Sequence, residues 1–104
     1  MEKKQMNPMQ TNLYEALLAL ETPQECEVFL ADLCTPQEVR ALTERWRVAQ
    51  LLDQGTLSYR AIHDVTGASL ATIGRVARFL KEESYKGYRL ILDRLSGHQN
   101  HNSH

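Results

Sequence analysis

Apolar residues in this chain recur at steps of three and four, and no segment alternates with the period of two that marks a strand. The pattern predicts six helices. Leu13, Leu17 and Leu20 place the first over Pro8–Leu20, and Val28, Phe29 and Leu33 place the second over Pro23–Leu33. The third, Pro36–Asp53, carries Val39, Leu42, Trp46, Ala49 and Leu52 on one side and stops at Gly55, a residue suited to a left-handed helix end. A fourth is expected over Tyr59–Val65 behind Ser58 as cap. A fifth follows over Ser69–Glu82, with Leu70, Ile73, Ala77 and Leu80 as its apolar stripe, and a sixth over Tyr85–Leu95, anchored by Tyr85 and Tyr88. Residues 97–104 read as a disordered polar tail behind a single helical domain, residues 1–96.

The tetrapeptide Thr-Pro-Gln-Glu occurs twice, at Thr22–Glu25 and Thr35–Glu38. Each copy is a helix start: threonine caps, proline occupies the first helical position, and glutamate three residues on reaches back to the cap. The echo is structural and does not mark a repeat. The first two helices are about a dozen residues long, and isolated helices of that length are marginal in water. Six short helices in 104 residues leave little core per chain. An intertwined homodimer supplies the missing burial.

Composition narrows the class. There is no apolar run of membrane-spanning length and no apolar signal core at the start, so the expected location is the cytoplasm, with no membrane partner. Cys26 and Cys34 form no CxxC pair and have no neighbouring histidine, which argues against a zinc site or a disulfide framework. No Ser/His/Asp arrangement, paired carboxylate or phosphate-binding glycine loop is present, so neither an enzyme nor a resident cofactor is expected. His98, His101 and His104, spaced by three, can gather a Ni²⁺ or Zn²⁺ ion or can simply be a solvated tail. The net charge of −1 is no mark of a general polyanion binder, but its distribution is uneven. Residues 1–34 hold two lysines against six acids. Residues 35–104 hold all eight arginines and two lysines against seven acids. That asymmetry permits a nucleic-acid-facing half.

The stretch LSYRAIHDVTGASLATIGRVARFL, Leu57–Leu80, sharpens this reading. It is a short helix, a turn at Thr66–Gly67–Ala68 and a second helix, with Ile62 and Ile73 placed to lock the pair: a helix-turn-helix over about residues 58–82. Ser58, Tyr59, Arg60 and His63 lie on the first helix, three of them at its N-terminus, where backbone amides suit a phosphate. The second helix presents Ala68 and Ala71 with Thr72 and Gly74, then Arg75 and Arg78. Small residues allow close approach to base edges, and arginine can take a guanine edge or a phosphate.

The segments DLCTPQEVRALTERWRVAQLL, SYRAIHDVTGASLATIGRVARFL and GYRLILDRL occur in this order over Asp32–Leu95. In that order they resemble the tryptophan repressor family, and within it the YerC/YecD-like branch. The resemblance implies an all-α, intertwined homodimer that represses transcription by occupying a roughly palindromic site on double-stranded DNA. It points to Tyr59, Arg60, His63, Leu70, Ala71, Gly74 and Lys81 as DNA contacts. With the residues above, the expected DNA face is Ser58, Tyr59, Arg60, His63, Ser69, Leu70, Ala71, Thr72, Gly74, Arg75, Arg78 and Lys81. The tryptophan repressor sandwiches its ligand's indole between two arginines, which fall on Arg45 and Arg75. Thr35 and Thr72 match its threonines. Val76 and Phe79 stand where that repressor has a glycine and a serine, so they are expected to fill or reshape the cavity and remove the ammonium's polar anchor. Any effector is therefore expected to be a small molecule other than tryptophan. For Arg45 an ion pair with Glu38, Glu44 or a partner-chain acid competes with a ligand role, and for Arg75 a DNA contact does. Two other readings of the whole chain stay open. One is a helical protein-interaction module without DNA binding. The other is a detached DNA-binding piece for which residues 1–34 are dispensable.

Overall fold

A computed structural model describes residues 6–82 and 85–100. Among them the chain forms six helices and no strand: α1 (Pro8–Leu18), α2 (Pro23–Leu33), α3 (Pro36–Gln54), α4 (Tyr59–Thr66), α5 (Leu70–Lys81) and α6 (Gly87–Asn100). The helix ends follow local chemistry. Asn7, Thr22, Ser58 and Ser69 each sit in extended backbone and accept a backbone N–H from the first turn of the helix that follows. The second Thr-Pro-Gln-Glu forms a reciprocal box: Glu38 N–H donates to Thr35 Oγ1 at 3.1 Å, and Thr35 N–H to Glu38 Oε1 at 2.8 Å. In the first copy the return bond slips by one residue. Glu25 Oε1 accepts from Glu21 N–H at 2.8 Å rather than from the cap. α6 passes through Gly97 to Asn100, beyond the expected end at Leu95. The rest of the tail, with His101 and His104, lies outside the described residues, as does the His98 side chain.

The chain divides into two units, Met1–Val39 and Arg40–His104. In the first, none of the described residues is buried. Met9, Leu13, Tyr14, Leu17, Leu18, Val28 and Leu33 are all exposed. Leu30, Ala31, Cys34, Pro36 and Val39 line an open apolar depression of about 360 Å³.

The second unit holds the core. Val48, Ala49 and Leu51 of α3, Ile62 of α4, Ala68 of the turn, and Ile73 and Val76 of α5 form one buried cluster, with Trp46, Leu52 and Tyr88 packed against it. The stripe expected on α3 is therefore only partly right. Ala49 is buried, but Leu42 is 46% exposed, and the inward face runs through Val48 and Leu51 instead. Trp46 stacks on Tyr88 of α6 with ring centroids 6.4 Å apart. Arg89 of α6 donates to Asp53 of α3 at 3.0 Å and to Asp93, one turn along its own helix, at 3.0 Å. The bond to Asp53, then that to Asp93, holds the Arg89 proton more tightly than usual, so the guanidinium stays charged.

Candidate nucleic-acid interface

The turn between α4 and α5 is built from four hydrogen bonds. Gly67 adopts φ +80°, and its N–H closes α4 on the His63 carbonyl at 2.9 Å. That conformation is costly for any residue with a Cβ. Thr66 Oγ1 donates to the Ile62 carbonyl at 2.8 Å and accepts the Ala68 N–H at 3.1 Å. His63 Nδ1 lies 2.8 Å from the Ala68 carbonyl. A carbonyl only accepts, so Nδ1 carries the proton and Nε2 is left free for another partner. Ser69 then starts α5, with its hydroxyl 3.1 Å from both the Thr72 N–H and Thr72 Oγ1.

This turn sets which residues face inward. Ile62, Ile73, Val76 and Ala77 are buried between the helices. The sequence pattern sends Ala68 outward and Leu70 inward, and the structure reverses both. Ala68 is 1% exposed and Leu70 51%. Ala68 precedes the cap and is tucked into the turn, so the helical period does not apply to it. Leu70 is the first residue of α5, where the stripe has not yet met the core.

The opposite side of the pair is open. Ser58, Tyr59, Arg60 and His63 of the first helix are exposed, as are Ser69, Leu70, Ala71, Arg75, Arg78 and Lys81 of the second; Thr72 and Gly74 are half-buried. Across 58–81 four permanent cations, Arg60, Arg75, Arg78 and Lys81, meet one carboxylate, Asp64. Arg78 and Lys81 fall in the last turn of α5, where they also complement the helix dipole.

The residues expected around an effector are dispersed among other tasks. Thr35 caps α3. Thr72 is held by Ser69, and Val76 is core, 1% exposed. Arg45 is half-buried, and no ion pair of it with Glu38 or Glu44 occurs among the described residues. Arg75 and Phe79 do share a cavity, an open space of about 530 Å³ whose other walls are Tyr85, Gly87 and Tyr88. Within it Arg75 Cζ lies over the Phe79 ring, 4.5 Å from its centroid. The sequence signal for this contact is an arginine and an aromatic four residues apart on one helix, a spacing not singled out above. No group of three or more His, Cys, Asp or Glu able to hold a metal occurs among the described residues, and no helix there is long and apolar enough to cross a membrane.

An all-helical chain with two short helices joined at a left-handed glycine, one outer face carrying small residues and arginines, belongs to the helix-turn-helix class. The particular family follows from comparison with known proteins. The family model of the Trp repressor protein matches residues 9–96, and the chain belongs to that family of DNA-binding regulators. It is 41% identical over 83 residues to the uncharacterised protein YerC of Bacillus subtilis, covering 80% of this chain and 78% of that one. It is 39% identical over 61 residues to the Trp operon repressor homologue of Vibrio campbellii, covering 59% of this chain and 61% of that protein, less than two-thirds of it. A crystal structure of a candidate Trp repressor from Staphylococcus aureus superposes with a TM-score of 0.81 at 40% identity, covering 88% of this chain and 89% of that one.

Proposed function

We propose that this chain is a homodimeric transcriptional repressor that reads a roughly palindromic site on double-stranded DNA and does not respond to tryptophan. The carrying observation is the exposed face of α4 and α5, with four cations, one carboxylate and a helix start of small residues. Arg60, Lys81 and the helix starts at Ser58 and Ser69 contact phosphates and set register. Leu70, Ala71, Thr72 and Arg75 approach base edges, with Arg60 and His63 flanking the groove. One helical domain, residues 1–96, does this work.

The case for a dimer rests on the first unit. Six of its exposed apolar side chains, Leu13, Tyr14, Leu17, Leu18, Val28 and Leu33, need cover. Withdrawing them from water is worth on the order of 10 kcal/mol per protomer before ordering and association costs. A second copy of the same helices is self-complementary by symmetry, and two reading heads related by a two-fold axis favour a two-fold site. Loss of the dimer on removal of residues 1–34 is the expected result. A stable folded monomer of residues 35–104 would make the N-terminal helices dispensable.

Val76 in the core and Phe79 against Arg75 support a reshaped rather than an unaltered pocket, with Phe79 and Arg75 together on the wall of an open cavity of about 530 Å³. The test is selection of bound sites from random duplexes with the full chain, with and without a pool of amino acids. An enriched palindrome without additive is the expected outcome. Enrichment only in the presence of an amino acid would overturn the ligand-free reading. Arg75→Ala is expected to weaken an enriched site by about 1–3 kcal/mol. A second reading, a protein-docking module, draws on Val65 and Leu70, both exposed and apolar on this pair of helices. Salt separates the two, because affinity carried by phosphates falls steeply between 50 and 200 mM.

A further inference from the structure

Two arginines of α5 converge on one aromatic ring. Arg75 Cζ lies 4.5 Å from the Phe79 ring centroid, and Arg78 Cζ 5.4 Å from the same point. Phe79 in turn stacks on Tyr85, with centroids 6.2 Å apart and planes within 11° of parallel. The first contact follows from helix geometry. Residues four apart share a face, and helical side chains lean toward the N-terminus, so the Phe79 ring falls over the turn that carries Arg75. The second does not, since neighbours on a helix point apart.

Both distances lie within the range over which a guanidinium is attracted to an aromatic face. The Arg75 guanidinium resting on this ring presents its N–H donors at its edge, and those are the donors that meet a guanine or a phosphate. An arginine already held in place also loses less freedom when DNA arrives.

We propose that Phe79 is a positioning residue for DNA reading. Its ring orders Arg75, so that α5 is organised for DNA from within the chain and without a small-molecule effector. This rests on the reading of α5 as the DNA-facing helix. Phe79 touches the arginines and not the nucleic acid.

The test uses the full chain and the duplex enriched from the random pool. In the free protein, the Arg75 side-chain protons are expected upfield from the Phe79 ring current, lost in Phe79→Leu and kept in Phe79→Tyr. Phe79→Leu is expected to weaken the duplex about two- to five-fold, the worth of one such contact, with Phe79→Tyr restoring it. The slope of affinity against salt stays as in the wild type, because no phosphate contact is removed. In a double-mutant cycle, Phe79→Leu is expected to add little to Arg75→Ala. Where Phe79→Leu fails to fold by circular dichroism, Phe79→Met keeps an apolar chain of similar length and replaces it. Wild-type affinity in the leucine variant, additive losses in the cycle, or no ring-current shift in the wild type would each overturn the proposal alone. A wild type that binds no duplex would overturn the DNA reading and this proposal with it.

Discussion

Replacing Gly67 and Gly74 by alanine adds the same methyl group at two places seven residues apart, with opposite expected signs. At neither site does the new Cβ meet a wall. Nothing lies within 4 Å of it at Gly74, and at Gly67 the nearest atom is Glu44 Oε2 at 3.9 Å, an ordinary contact. Packing therefore cancels and the backbone decides. Gly67 sits at φ +80°, where an L-residue is about 1–2 kcal/mol less stable than glycine. Alanine also restricts the unfolded chain, which returns about 0.4–1 kcal/mol. The net expectation is a loss of about 1 kcal/mol. Gly74 lies inside α5 with ordinary helical backbone, where alanine is favoured by about 0.5–1 kcal/mol. The two variants are expected to differ by about 1.5–2 kcal/mol, or roughly 6–15 °C in Tm for a chain of this size. Thermal and urea unfolding at one fixed protein concentration reads this directly, since an associating chain has a concentration-dependent Tm. Equal stability of the two variants would refute the argument, and so would a loss above about 3 kcal/mol in Gly67→Ala, which would require a collision that the geometry lacks.

Other perturbations follow from the same contacts. Ser69→Ala removes the α5 cap and its bonds to Thr72, with an expected loss of about 1 kcal/mol in urea unfolding. Asp53→Asn weakens the tie between α3 and α6, but both partners are well exposed, so the expected cost stays below about 1 kcal/mol and shrinks further in high salt. Lys86 has φ +62°, and its side chain is exposed, so Lys86→Gly is expected to raise stability by about 0.5–1 kcal/mol in the same assay.

What could be read in the sequence was local. A cap is decided within four residues, so Thr22, Thr35, Ser58 and Ser69 were all legible as helix starts. Gly67 was legible as a turn because no other residue takes that φ cheaply. The face each helix turns inward was less so, because it depends on partners distant in the chain. Leu42 fits the periodic stripe of α3 as well as Ala49 does, yet of the two only Ala49 joins the buried cluster with residues of α4 and α5. The sixth helix was expected to end at Leu95, but α6 continues through Gly97, which takes no positive φ. Phe79 was legible as a residue that alters the ligand cavity, and it lines an open cavity rather than closing one. That its ring would also stack on Tyr85 depended on a residue outside α5, which the period of the helix does not place.

The outer face of α4 and α5 has a consequence for how the molecule meets nucleic acid at a distance. Four cations sit on a chain whose total charge is −1. Beyond the screening length of about 8 Å at physiological ionic strength, DNA meets a nearly neutral particle rather than a basic one. Attraction begins only when the right side has already turned toward the phosphates. If that face reads DNA as proposed, arbitrary duplex is expected to hold the protein only weakly, so that fit at the groove rather than bulk charge would decide where it stays.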